Sequence, residues 1–214
     1  MTLATVVTAL EKVYGPPRAR VTDPFQMILL ENASYLVDDA RREETFERLR
    51  AAVGLTPEAI LEHSREEIAM VIAGGGMKPE MRAGKLLDCA RLAIKAGVTE
   101  KTLRKFPSIG EPYADRILLF NGRKVTLAPD SNALRVLLRL GYGEESKNYA
   151  TTYRSAVNAT SAELRDAKFA QRAHMLLRRH GQEVCKRSAP RCELCPIRKD
   201  CAWYRENLTD VRLS

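Results

Sequence analysis

The sequence predicts an all-α fold on three grounds. Apolar residues recur at helical spacing along most of the 214 residues. Helix-start signals punctuate them at Asp23-Pro24, at Thr56-Pro57, and at Ser64 with Glu67 three residues on. No segment alternates apolar and polar residues strongly enough, over a strand's length, to suggest a sheet.

Taken in order, residues 2–14 carry a stripe of Leu3, Val6, Val7, Leu10 and Val13, and Pro16-Pro17 ends it. Asp23 caps the next helix with proline in its first turn. That helix is predicted to contain PFQMILLENASYLVDD, apolar almost without break from Phe25 to Leu30 and therefore buried. From Ala40 to Ala96 the pattern stays helical, broken at Gly54–Pro57 and at the triplet Gly74-Gly75-Gly76, which reads as a flexible turn or a close approach of backbone to a ligand. Cys89 falls on an apolar face and reads as core. A short helix from Val98 to Phe106 leads into the turn Phe106-Pro107-Ser108-Ile109-Gly110, and a second helix starts near Glu111. Asp130 opens a further helix that ends at Gly141-Tyr142-Gly143. Two more are predicted at about 145–159 and 162–180, the latter capped by Ser161.

Thirty-five Lys and Arg against 27 Asp and Glu give a net charge of +8, which suits a polyanionic partner. No apolar run approaches the roughly 18 residues of a membrane span. The N-terminus lacks the basic region of a signal peptide, so a reducing, cytoplasmic location is expected. In that setting cysteines point to a metal site rather than disulfides.

Three features carry chemistry. The turn ending at Gly110 sets backbone N–H groups of Ser108, Ile109 and Gly110 near a helix N-terminus, where they suit an anion such as a phosphate. Glu31 interrupts a buried helix, so it needs either an ion-pair partner or a role as a carboxylic acid kept protonated by apolar surroundings. Cys185, Cys192, Cys195 and Cys201 form C-x6-C-x2-C-x5-C within seventeen residues. Four thiolates so close suit tetrahedral zinc or a four-iron cluster. Eight Lys and Arg against two Asp and Glu between Arg172 and Lys199 make their surroundings basic.

The hairpin, the following aspartate and the cysteine spacing together resemble the endonuclease III-like helix-hairpin-helix superfamily of DNA glycosylases, whose signature is a helix-hairpin-helix with a Gly/Pro-rich turn and an aspartate. The resemblance covers about residues 22–202. It implies two helical lobes, residues 22–135 with the helix-hairpin-helix at about 99–121, and residues 1–21 with 136–214. The second would hold a 4Fe–4S cluster loop at 185–201, with Cys185, Cys192, Cys195 and Cys201 as ligands. The implied partner is double-stranded DNA carrying a damaged or mismatched base, bound by a monomer associated with the nucleoid. Ser108, Ile109 and Gly110 would grip its backbone, together with Lys186, Arg187 and Arg191 of the cluster loop.

The resemblance assigns Asp130 as the catalytic carboxylate. Glu31 stands where the adenine glycosylases of the superfamily carry a catalytic glutamate, after a matching Pro-aromatic start. Tyr35 and Tyr113 would line the base pocket. Three positions depart from the family pattern. Ser108 replaces the hairpin's first glycine, and Leu36 stands where endonuclease III has a gap-filling glutamine. Pro112, eighteen residues before Asp130, occupies the position of the lysine that forms a Schiff base in bifunctional members. A monofunctional glycosylase is therefore expected. The alternative from another class is a non-catalytic binder of DNA structure on the same scaffold.

Overall fold

The computed structural model describes residues 1–211. Among them there are helices and turns and no strand; one isolated bridge pairs Tyr35 with Gly76. The helices are α1 (Leu3–Tyr14), α2 (Pro24–Ala33), α3 (Asp39–Ala52), α4 (Pro57–Leu61), α5 (Arg65–Val71) and α6 (Pro79–Ala96). They continue as α7 (Glu100–Leu103), α8 (Glu111–Phe120), α9 (Ser131–Leu140), α10 (Tyr149–Ser161), α11 (Ala167–Glu183) and α12 (Ala202–Val211). None of the described helices is long and apolar enough to cross a membrane.

The chain forms two compact units, Val21–Ile117 and Met1–Arg20 together with the chain from Leu118 onward. The division falls inside α8 and not at 135. The reason is that Leu127, Ala133 and Leu134 pack into the same core as Leu3, Leu10, Leu176 and Leu177, so Asp130 and its helix belong to the second unit. α9 and α1 both lie against α11 there. Gly181 lets α11 approach closely: a Cβ at that position would stand 2.5 Å from the carbonyl oxygen of Asn132.

In the first unit the predicted starts hold. Asp23 accepts from the Gln26 N–H, Thr56 from that of Ala59, and Ser64 and Glu67 close a reciprocal capping box. α2, however, stops at Ala33 instead of running on to Asp39. The Ala33 carbonyl accepts from Arg82 Nη1, the Tyr35 N–H donates to Gly75 at 2.8 Å, and Leu36 turns left-handed at φ 55°. Sequence continuity could not show this, because the helix is ended by partners some forty to fifty residues away.

The glycine triplet is not a flexible turn. A Cβ at Gly75 would stand 2.6 Å from the Ala33 oxygen, and one at Gly76 would stand 2.2 Å from the Tyr35 oxygen. Arg82 is 2% exposed and fastens this junction from within. Besides Ala33 it donates to the carbonyls of Met77 (2.9 Å), Ile72 (3.1 Å) and Gly76 (2.8 Å). Cys89 is fully buried, as its apolar neighbours predict. In the second unit Asn148 caps α10, and Asp166, not Ser161, caps α11 by accepting from Phe169 at 2.7 Å. Ser161 is instead the last residue of α10.

Candidate active site

Asp130 has the backbone of an N-cap, and its two oxygens do different work. Oδ1 accepts from the N–H groups of Asn132 (3.0 Å) and Ala133 (2.9 Å), while Oδ2 accepts from Arg178 Nε on α11 at 2.9 Å. The side chain is 26% exposed, so this is a carboxylate held at its position with one face to solvent. The loop before it is fixed by His174, whose Nδ1 lies 2.7 Å from the Ala128 oxygen. Burial raises the pKa of Tyr149, and the negative charge of Asp130 raises it further, which places that phenol in the field of the acid. Arg178 was not a candidate from sequence. It sits in an arginine-rich helix end with nothing local to single it out.

The helix that Asp130 opens also holds the cysteine loop. Arg135 donates from Nη2 to Asn132 Oδ1 (3.0 Å) and to the Gly181 carbonyl (2.7 Å), and from Nε to the Cys185 carbonyl (2.8 Å). One turn on, Arg139 donates to the Cys185 sulfur (3.2 Å) and to the carbonyls of Lys186 (2.8 Å) and Arg187 (3.1 Å). Its guanidinium lies over the Trp203 ring at 4.5 Å. Cys201 donates its thiol to the Arg139 carbonyl at 3.3 Å.

Cys185, Cys192, Cys195 and Cys201 are free and partly buried. Burial pushes the Cys195 thiol up to about 11 and raises those of Cys192 and Cys201, and neighbouring cysteine sulfurs add to each shift. At Cys195 the other three cysteines, Cys185, Cys192 and Cys201, all contribute to the shift. Among the described residues no three His, Cys, Asp or Glu side chains close on a single metal ion. By donor type, the four cysteines, with the Arg139 guanidinium beside Cys185, suit a thiolate-ligated centre. Of the basic candidates, Arg187 and Arg191 are exposed and Lys186 is partly buried.

Burial also acts on the histidine beside this loop. It lowers the pKa of His180 to about 4 and raises that of Tyr14 to about 12.

The first unit carries the hairpin. Ser108 is left-handed at φ 63°, a conformation that favours glycine, which accounts for the residue type expected there. Its hydroxyl accepts from Lys85 Nζ at 2.9 Å. Ser108 and Gly110 are exposed. Ile109 differs: its side chain is buried and its N–H donates to the Phe106 carbonyl at 3.1 Å, so that group is already engaged within the turn. Asn32 ties α2 to the hairpin by donating to the Pro107 carbonyl at 3.0 Å.

Glu31 pairs with Arg42 and is 28% exposed. Its neighbour is a cation and not an apolar wall. Tyr113 donates its hydroxyl to the Met27 carbonyl at 3.0 Å and lies under the Arg116 guanidinium at 5.3 Å. Burial raises its pKa, against the lowering effect of Arg116 and with the raising effect of Glu31. A cavity of about 260 Å³ brings Glu31, Tyr35 and Ser108 together with Asn32, Lys78 and Lys85. Tyr113 is not among its lining residues. Glu31 belongs to the first unit and Asp130 to the second.

No family model matches the chain. It is 29% identical to endonuclease III of Rickettsia conorii over 154 residues, 70% of each chain. It is 23% identical to endonuclease III of Thermotoga maritima over 195 residues, 89% of this chain and 88% of the relative. It is also 26% identical to the thymine/uracil-DNA glycosylase of Pyrobaculum aerophilum over 158 residues, 71% and 68% of the two chains. Among solved structures, a thermostable thymine-DNA glycosylase superposes with a TM-score of 0.78 at 19% identity, covering 95% of each chain. A trapped endonuclease III–DNA covalent intermediate superposes at 0.76 and 19% identity, covering 97% of this chain and 99% of that one. With a hairpin that turns through a left-handed residue and an aspartate that caps the helix after it, the chain has the fold of these solved glycosylases and is similar in sequence to endonuclease III.

Proposed function

We propose that this protein is a monofunctional DNA glycosylase of base-excision repair, which flips a damaged or mismatched base out of the duplex and hydrolyses its N-glycosidic bond, leaving an abasic site. The observation that carries the reading is Asp130, fixed through Oδ1 by the start of α9 and through Oδ2 by Arg178, with part of the carboxylate open to solvent. Departure of the base leaves positive charge on the sugar. A carboxylate held beside C1′ stabilises that charge and orients the water that adds there. Glu31, once it has left Arg42 and taken up a proton from solvent, is the acid that gives that proton to the leaving base. Pro112 has no side-chain amine, so no Schiff base forms at that position.

DNA backbone is held by Ser108 and Gly110 of the hairpin and by Lys186, Arg187 and Arg191, and affinity falls with salt. The target base is reached only after flipping, into a pocket to which Tyr35 contributes. Cys185, Cys192, Cys195 and Cys201 hold a 4Fe–4S cluster that braces this loop. Zinc at bond lengths of about 2.3 Å draws four sulfurs to one point, whereas a four-iron cluster binds them at its corners. The protein acts as a monomer in the cytoplasm, on the nucleoid.

The test is single-turnover base release from a panel of duplexes, each with one lesion or mismatch, for wild type and Asp130→Asn. Release by wild type alone, with strand breaks only after hot alkali, is expected. Breaks without alkali would show that another amine acts. A second reading, a non-catalytic binder of DNA structure, draws on the fact that both carboxylates, Asp130 and Glu31, are paired with arginines. Tight binding to every duplex with release from none would establish it.

A further inference from the structure

Tyr14 on α1 places its hydroxyl 2.9 Å from Nδ1 of His180, and the other ring nitrogen, Nε2, lies 3.5 Å from the sulfur of Cys195. His180 is 1% exposed, and all three residues belong to the second unit. A neutral imidazole carries one N–H, so the two contacts are linked: when one nitrogen donates, the other accepts. With a protonated thiol at Cys195 either tautomer satisfies both neighbours. A metal-bound thiolate has no proton and can only accept. Ligation therefore sets Nε2 as the donor to sulfur and leaves Nδ1 to accept from the tyrosine hydroxyl.

We infer that Tyr14 and His180 form a hydrogen-bond relay that tunes the iron–sulfur cluster through Cys195, stabilising its more electron-rich, reduced form. The inference rests on the reading of the four cysteines as cluster ligands. Reduction adds negative charge that is shared by the ligating sulfurs, so an N–H aimed at one of them is a stronger partner after reduction than before. Arg139 makes a comparable contact at Cys185, but it also anchors the carbonyls of the loop, and removing it would loosen the ligands themselves. The ring nitrogens of His180 face the sulfur and Tyr14, which makes the histidine the cleaner probe.

The full-length protein is prepared as wild type, His180→Phe and Tyr14→Phe. Iron and sulfide are counted, undamaged-duplex affinity is measured, and midpoint potentials are read by protein-film voltammetry. His180→Phe moves the potential negative, by on the order of tenfold in the oxidised-to-reduced ratio, which is about 59 mV for one electron. Tyr14→Phe moves it in the same direction by less, since the ring keeps its Nε2–H, and duplex affinity is unchanged in both. Potentials unmoved at full iron content overturn the inference. If His180→Phe loses its iron, Tyr14→Phe decides alone, and an unmoved potential there overturns it. A wild type that purifies without iron removes the cluster reading and the inference together, whereas an iron-loaded wild type with unmoved variants removes the inference only.

Discussion

Asp130 on the N-terminus of α9 and Arg178 on α11 are joined by a 2.9 Å contact between carboxylate and guanidinium, each about a quarter exposed. The carboxylate proposed to face a sugar cation thus already has a cation on one oxygen, while the other oxygen caps a helix. Position and charge are supplied by different partners, and substitutions can separate them.

Asn is as good an N-cap as Asp, so Asp130→Asn keeps the bonds to Asn132 and Ala133 while removing the charge. Its melting temperature is expected to stay within a few degrees of wild type, and base release is expected to be lost. Asp130→Ala loses both, with an added cost of about 1 kcal/mol for the cap. Equal destabilisation of the two variants in thermal melts would mean that charge, not capping, is the structural role of Asp130.

Pro112→Lys places an amine at the second residue of α8, in the first turn, where proline's missing N–H removes no intrahelical bond and a lysine fits the helix. On a duplex that wild type processes, borohydride is expected to trap a covalent adduct with the variant and none with wild type. If neither is trapped, the position lacks access to C1′ in this chain.

The all-α class, the Asp23, Thr56 and Ser64 caps and the aspartate at the head of α9 were legible because each depends on neighbours within a few residues. The left-handed turn at Ser108 was legible only as a departure from glycine, and its φ of 63° gives that departure a physical meaning. What could not be read lies across long separations: the Arg178 partner of Asp130, the Arg42 partner of Glu31, and the end of α2 at Ala33. Apolar periodicity says which face of a helix is buried. It does not say which distant carbonyl or guanidinium will meet its polar atoms.

Arg82 illustrates the cost of such hidden contacts. It is a buried cation that donates to the carbonyls of Ala33, Ile72, Gly76 and Met77, the turns that shape the end of α2 and the glycine triplet. Arg82→Met keeps volume and leaves these acceptors without their donor, at roughly 1–3 kcal/mol for each that water cannot reach. Arg82→Lys restores at most part of the fan, since an ammonium cannot span the fork. Denaturant melts should show Met worst and Lys intermediate. A stability unchanged in both would mean that the carbonyls find water.

Gly181→Ala tests whether close packing of α11 on α9 sets the site. The added Cβ would meet the Asn132 carbonyl at 2.5 Å and the Asn132 Cβ at 3.0 Å, so the helices must part. Overpacking of this kind costs about 1–3 kcal/mol. Asn132 lies two residues from Asp130, and Arg178 is three residues before Gly181 on the same helix, so the strain falls directly on the carboxylate–guanidinium pair. The variant is expected to melt earlier and, at temperatures where it is fully folded, to release base more slowly with little change in duplex affinity. A folded variant with wild-type release would show that Asp130 is positioned by its cap alone and that the Arg178 contact is dispensable.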